Sequence, residues 1–102
     1  MTTCTEFAVF TVAKADIEQV VALSESLFSE INATEQLITA HQILHKIDHE
    51  EEICWQLTWA SIDAVKATTA KWQSFPSAKP LEKLVGKKHY YGHFVTMIVR
   101  GC

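Results

Sequence analysis

An α+β fold, one four-stranded antiparallel sheet with two helices on one of its faces, is the architecture this sequence predicts. Three observations lead there. The 102 residues, 48% of them hydrophobic and 21% charged, suit a single domain over 1–102 with a core of its own. Short β-branched and aromatic runs are interleaved with stretches of helical period in the order strand, helix, strand, strand, helix, strand. The apolar fraction excludes intrinsic disorder, and three Gly with two Pro exclude a fibrous or low-complexity chain.

The first strand is Phe7 to Val12, which is apolar at every position but Thr11 and so reads as covered on both sides. Asp16 to Ile31 follows as a helix of about four turns. Asp16 with Gln19 resembles a capping box, and Ile17, Val20, Val21, Leu27, Phe28 and Ile31 form the apolar stripe, interrupted by Ser24. Asn32 is the expected left-handed terminator. Leu37 to Ile47 is the second strand, Asp48 to Glu52 a charged turn, and Ile53 to Ala60 the third strand. That third strand alternates strictly, with Ile53, Trp55, Leu57 and Trp59 on one face and Cys54, Gln56 and Thr58 on the other. Ser61 is a good N-cap for a helix from Ile62 to about Phe75, with Ile62, Val65, Thr69 and Trp72 facing inward. Pro76 ends it. Ser77 caps a short second piece, with Pro80 in its first turn, Leu81, Leu84 and Val85 as its apolar side, and Gly86 just past its end. His89 to Arg100 is expected to be a long last strand.

This order is the ferredoxin-like βαββαβ arrangement, two right-handed crossovers giving strand order 4-1-3-2. Helices cover one sheet face; the other meets water in a monomer and ought then to be polar. It is not. In strand one Phe7 and Val9 oppose Ala8, Phe10 and Val12, and in strand four Val95, Met97 and Val99 oppose Phe94 and Ile98. An apolar face of several hundred Å² is more than a soluble monomer ordinarily exposes. A homodimer with sheets packed face to face, about 10 Å apart, is therefore expected.

Nine Lys and Arg against twelve Asp and Glu give a net charge of −3, and the single basic doublet is Lys87-Lys88, which argues against a nucleic-acid partner. No apolar run approaches the length of a membrane span, so no membrane role is expected. The N-terminus has neither the positive region nor the apolar core of a signal peptide. Cys4, Cys54 and Cys102 are odd in number and widely spaced, which points to reduced thiols in a cytoplasmic protein. His45, Asp48, His49 and Glu50 surround the hairpin turn without matching a metal-ligand spacing, and a solvated turn accounts for them.

The element order, the doubly apolar strands, and the run Leu57-Thr58-Trp59-Ala60-Ser61-Ile62-Asp63-Ala64 resemble the dimeric α/β-barrel superfamily. That group includes the antibiotic-biosynthesis monooxygenase-like and Dabb-like proteins. The resemblance spans nearly the whole chain, and its local motif is Trp59-x-Ser61. It implies a pocket between the helices and the sheet. In the haem-degrading branch an Asn on strand one works with a Trp and a His on helix two. Here strand one has no Asn and no His lies between His49 and His89, so that chemistry is not expected. Of the Asn-Trp-Tyr set of the quinone-forming oxygenases, Trp59 matches and the Asn does not.

The residues able to line such a pocket are Trp55 and Trp59 on strand three, Trp72 on helix two, His41 on strand two, and Tyr91 with His93 on strand four. Tyr91 and His93 are two apart and share a strand face, so together they suit orienting or deprotonating a phenol between tryptophan walls. The same residues also suit a packed core, and strand parity decides whether Tyr91 and His93 face the helices or a partner sheet. Three readings stand: a cofactor-independent, monooxygenase-like enzyme acting on a small aromatic compound; a non-catalytic module that holds a small apolar or aromatic ligand or serves in stress; and a purely structural dimer. No cofactor and no metal are expected.

Overall fold

The structure, a computed structural model, describes residues 2–101. Its strands are β1 (Cys4–Val12), β2 (Ile38–Lys46), β3 (His49–Trp59) and β4 (Val85–Phe94), all paired antiparallel in the order β2-β3-β1-β4. Its helices are α1 (Ile17–Ile31), α2 (Ile62–Ala70) and α3 (Ala78–Leu84). The element order is that expected from the sequence, with the second crossover divided between α2 and α3. The molecule is 18 Å across its thinnest direction, a sheet and one helical layer.

The central strands carry the core. Cys4, Glu6, Ala8, Phe10 and Val12 of β1 lie under the helices beside Ile53, Trp55, Leu57 and Trp59 of β3. The register aligns these faces, with Ala8 opposite Trp55 and Glu6 opposite Leu57. On β4, His93 is opposite Glu6 and Tyr91 opposite Ala8, so both side chains stand on the helix side.

Helix α1 buries Val20, Ser24, Leu27, Phe28 and Ile31. Ser24 is therefore part of the inward stripe and not a break in it. Its hydroxyl donates to the Val20 carbonyl at 2.7 Å and accepts from Trp55 Nε1 at 3.1 Å. Two expected caps are corrected. Asp16 makes no capping hydrogen bond, because it ends a 3₁₀ turn over Lys14–Asp16 and already has near-helical dihedrals. Asn32 keeps a negative φ of −88°. Its side chain instead ties α1 to β2, accepting from the Leu37 and Ile38 amides and donating to the Ile38 carbonyl.

Ser61 caps α2 as its sequence position predicts, accepting from the Ala64 amide at 3.1 Å. The inward face of α2 is rotated from expectation: Ala64 and Thr68 are buried, Val65 is half-buried, and Ile62 and Thr69 are exposed. The helix ends at Ala70, and Trp72 enters from a 3₁₀ turn over Trp72–Ser74. The hairpin turn is only Ile47-Asp48, because Lys46 already pairs with His49 across it, and Glu52 pairs with Thr11 on the other side of β3.

The last strand differs most. It starts at Val85, opposite Val12, so Gly86 lies in a strand and does not end a helix. A Cβ on Gly86 would meet the Thr11 carbonyl oxygen at 3.1 Å, and glycine lets the two backbones close there. The strand stops at Phe94, opposite Thr5, because β1 runs out at Cys4 and offers residues 95–100 no partner. Val95, Met97, Ile98 and Val99 are consequently exposed, Met97 by 93%.

The uncovered sheet face carries Phe7 and Val9 of β1, Leu44 of β2, and Tyr90 and Phe94 of β4. Phe94 meets Phe7 edge-on with centroids 5.7 Å apart and stacks with Tyr90 at 6.2 Å. Cys4 and Cys54 are free thiols on opposite faces of the sheet; Cys102 lies outside the described residues. Among the described residues no helix is long and apolar enough to cross a membrane.

Candidate functional site

Between the helical layer and the sheet lies a cavity of about 340 Å³, within the size range of small-molecule sites. Trp55 and Trp59 wall it from β3, Trp72 from the turn after α2, Thr68 from α2, and Glu6 and Tyr91 from β1 and β4. Alternation explains this convergence: residues of one parity on three adjacent strands face the same side.

Glu6 is the unexpected member. It is 4% exposed, the one ionisable carboxylate among the buried residues described, which are otherwise apolar or, as with Ser24, Thr68 and Ser77, uncharged. Its Oε1 accepts from Trp59 Nε1 at 3.1 Å and lies 3.0 Å from His93 Nε2. Both hydrogen bonds fall on Oε1; Oε2 takes none among the described residues. Burial raises the Glu6 pKa above the usual carboxylate value, and the His93 charge and the bonds from Trp59 and His93 offset part of that rise. Burial also raises the Tyr91 hydroxyl, with the Glu6 charge adding to it. Cys4 is raised in the same way, by burial first and Glu6 second.

The tryptophans are fixed by contacts of their own. Trp55 packs edge-on against Phe10 and Phe28, with centroids 5.6 and 5.0 Å apart, and its N–H is held by Ser24. Trp59 spends its N–H on Glu6. Each therefore presents an apolar surface to the cavity.

Of the residues expected from the sequence, Trp55, Trp59, Trp72 and Tyr91 come together around one space. His93 stands behind Glu6, its side chain 25% exposed, and touches the carboxylate without lining the cavity. His41 is corrected: it sits outside, with Nε2 2.8 Å from Glu25 Oε1 on α1 and its ring against Phe28, and does not reach the cavity. Among the described residues no group of three or more His, Cys, Asp or Glu is placed to hold a metal ion.

Sequence reasoning missed Glu6 and Thr68. The signal for Glu6 was its parity, an acid two residues before Ala8 on the face that also holds Phe10 and Val12. Thr68 was hidden by the rotation of α2.

A ferredoxin-like sheet with an apolar, carboxylate-bearing cavity under its helices is the candidate site. Comparison with known proteins gives the fold a narrower place. No family model matches the chain, and no curated protein matches it. Solved structures do. SnoaB, a cofactor-independent oxygenase from Streptomyces nogalater, aligns in variant form with a TM-score of 0.74 and 24% identity over 97% of each chain. A provisionally named antibiotic biosynthesis monooxygenase from Nitrosomonas europaea aligns at 0.76 and 7% identity, over 98% of this chain and 95% of that one. Another such protein, from Chloroflexus aurantiacus, aligns at 0.71 and 12% identity over 98% of each. At these identities the likeness is one of fold: the chain has the architecture of the antibiotic biosynthesis monooxygenase-like proteins.

Proposed function

We propose that this protein is a cofactor-independent, monooxygenase-like enzyme acting on a small hydroxylated aromatic compound, and that it works as a homodimer. One observation carries the reading: a buried carboxylate, Glu6, backed by His93 and Trp59 through a single oxygen, on the floor of a cavity walled by tryptophans. An apolar space with one buried carboxylate, the other, Glu82, being half-exposed and paired with Lys88, suits a flat molecule with one acidic hydroxyl. Glu6 Oε2 takes the proton of that hydroxyl, and His93 shares the charge as it changes. The anion left behind is rich enough in electrons to react with dioxygen. When a ring methylene becomes a carbonyl, one atom of dioxygen enters the product and the other leaves as water with the two methylene hydrogens. The four electrons lost by carbon are those gained by oxygen, so no cofactor is needed. The described nature of SnoaB, a cofactor-independent oxygenase of the same fold, supports this class of chemistry.

The dimer is supported by the uncovered sheet face and by the exposed apolar tail that leaves it. A second sheet laid over Phe7, Leu44, Tyr90 and Phe94 removes that surface from water and offers the tail a strand to pair with. The free thiols Cys4 and Cys54 support a cytoplasmic setting.

Native mass spectrometry of the freshly purified protein tests the site. The expected result is an aromatic ligand retained by the wild type and lost in Glu6→Gln. Retention that is unchanged in Glu6→Gln contradicts the assigned role of the carboxylate.

A further inference from the structure

Charge is divided along this chain. Seven of the nine Lys and Arg lie after Ser61, with only two of the twelve Asp and Glu. The two lysines before it, Lys14 and Lys46, are each held by an acid, Glu50 at 3.1 Å and Asp48 at 3.8 Å. After it, among the described residues, Lys88 alone has an ion-pair partner, Glu82 at 3.1 Å. Lys71, Lys79, Lys83 and Lys87 are exposed and have none.

These lysines gather where the cavity opens. Glu82 of α3 and Lys88 of β4 both line it and are both exposed, so it reaches the surface between those two elements. Lys79 and Lys83, one turn apart on the exposed side of α3, flank Glu82. Lys71 precedes Trp72, which lines the cavity from the turn after α2, and its Nζ lies 5.9 Å from the Phe75 ring centre. A β-bulge brings Lys88 to this rim. Tyr91 is opposite Ala8 and Lys88 opposite Phe10, three residues of β4 against two of β1. The extra residue, His89, turns Lys88 to the helix side, where plain alternation would have sent it to the uncovered face.

We propose that this basic rim is a docking surface for an acidic protein that exchanges the cavity's small molecule. The proposal rests on the cavity being a ligand site and does not depend on the chemistry of Glu6. An apolar molecule passed at the rim is spared the cost of crossing water. The rim carries no arginine, the residue whose planar fork suits phosphates, and the acids before Ser61 repel a polyanion that runs across the molecule. Over residues 79–88 the exposed positions other than lysine are Pro80, Glu82 and Gly86, and none offers a large apolar side chain to a bilayer. An acidic protein presents its carboxylates over one limited face, which matches a rim of this extent.

The test titrates isotope-labelled protein at low salt with three probes. They are a blocked glutamate–alanine peptide standing for an acidic protein face, a DNA duplex of the same total charge, and phosphatidylcholine vesicles containing phosphatidylserine. The peptide should shift the amide signals of residues 71–72 and 79–88, leave those of 46–52 in place, and bind more tightly than the duplex; the vesicles should not bind. Lys79→Glu combined with Lys83→Glu should weaken the peptide by about tenfold or more. Lys14→Glu combined with Lys46→Glu, the same change of net charge, should weaken it far less. Equal weakening by the two pairs, or no peptide binding by the wild type, overturns the docking surface. So does tighter binding of the duplex, the denser polyanion that a mere excess of positive charge would favour, or binding of the vesicles. Peptide binding by a protein that retains no small molecule in native mass spectrometry upholds the surface and overturns its role in exchange.

Discussion

Replacing Glu6 by Gln should remove a loss of stability that the wild type suffers as pH rises. Glu6 is 4% exposed, and burial is the largest influence on its carboxyl, raising its pKa. The folded state therefore holds a proton that the unfolded state has already released. Stability then falls as pH rises through the window above the ordinary glutamate value, because the unfolded chain binds fewer protons there. Each unit by which the folded pKa exceeds the unfolded one costs about 1.36 kcal/mol at pH above both. For a domain near 100 residues, 1 kcal/mol corresponds to about 4–8 °C in Tm. Gln keeps the size of the side chain and an acceptor for Trp59 but does not titrate. Its own penalty, an amide N–H₂ left to find an acceptor, does not vary with pH and cancels when two pH values are compared. Urea unfolding of both proteins at about pH 5 and pH 8 gives the comparison. Relative to Glu6→Gln, the wild type should lose stability between the lower and the higher pH. A difference that does not move, or one that shifts in the wild type's favour as pH rises, would refute the argument that burial governs this carboxylate.

Three further outcomes follow from the packing. Ser24→Ala leaves the Trp55 N–H buried without its acceptor, so it should cost about 1–3 kcal/mol in chemical unfolding, and Trp55→Phe should largely abolish that sensitivity. Asn32→Ala removes three hydrogen bonds that join α1 to β2 and should cost about 1.5–4 kcal/mol, with amide exchange at Leu37 and Ile38 accelerated. Light scattering at micromolar concentration should give about twice the 11.5 kDa chain mass, and Phe94→Lys, which breaks the Phe7–Phe94–Tyr90 cluster, should give a folded monomer; a monodisperse wild-type monomer would contradict the dimer.

The sheet and its order were legible because the informative strand is unambiguous. Ile53, Trp55, Leu57 and Trp59 alternate with smaller or polar residues, and Ser61 marks where the helix begins. The end of the chain was legible only in composition. Thr-Met-Ile-Val reads as strand by propensity, but a strand needs a neighbour, and β1 ends where that neighbour would be required. The start of β4 was masked by Leu81, Leu84 and Val85, whose spacing suits a helix face while Val85 pairs with Val12. The aromatic part of the site was visible in part: Trp55 and Trp59 share a face of one strand, while the side taken by Tyr91 stayed open until the β1–β4 register set it opposite Ala8. Its polar part was not. Glu6 sits in a segment that looks like a polar lead-in, and its burial comes from the register that places Trp59 and His93 beside it. His41 has the right parity and lies on the edge strand, where Glu25 reaches it before any ligand does.

The central claim is that Glu6 starts an oxygenation that needs no cofactor. Oxygen uptake with dithranol, a hydroxylated anthrone, under isotopically labelled dioxygen tests this most directly. The wild type should produce the anthraquinone with one labelled oxygen per molecule in metal-free buffer. Glu6→Gln should be slower by about 10²- to 10⁴-fold, the usual worth of a positioned base. Turnover by Glu6→Gln at the wild-type rate, or a wild type that binds the anthrone and leaves it unoxidised above the buffer rate, would contradict the account; the second result would make the protein a carrier of such molecules.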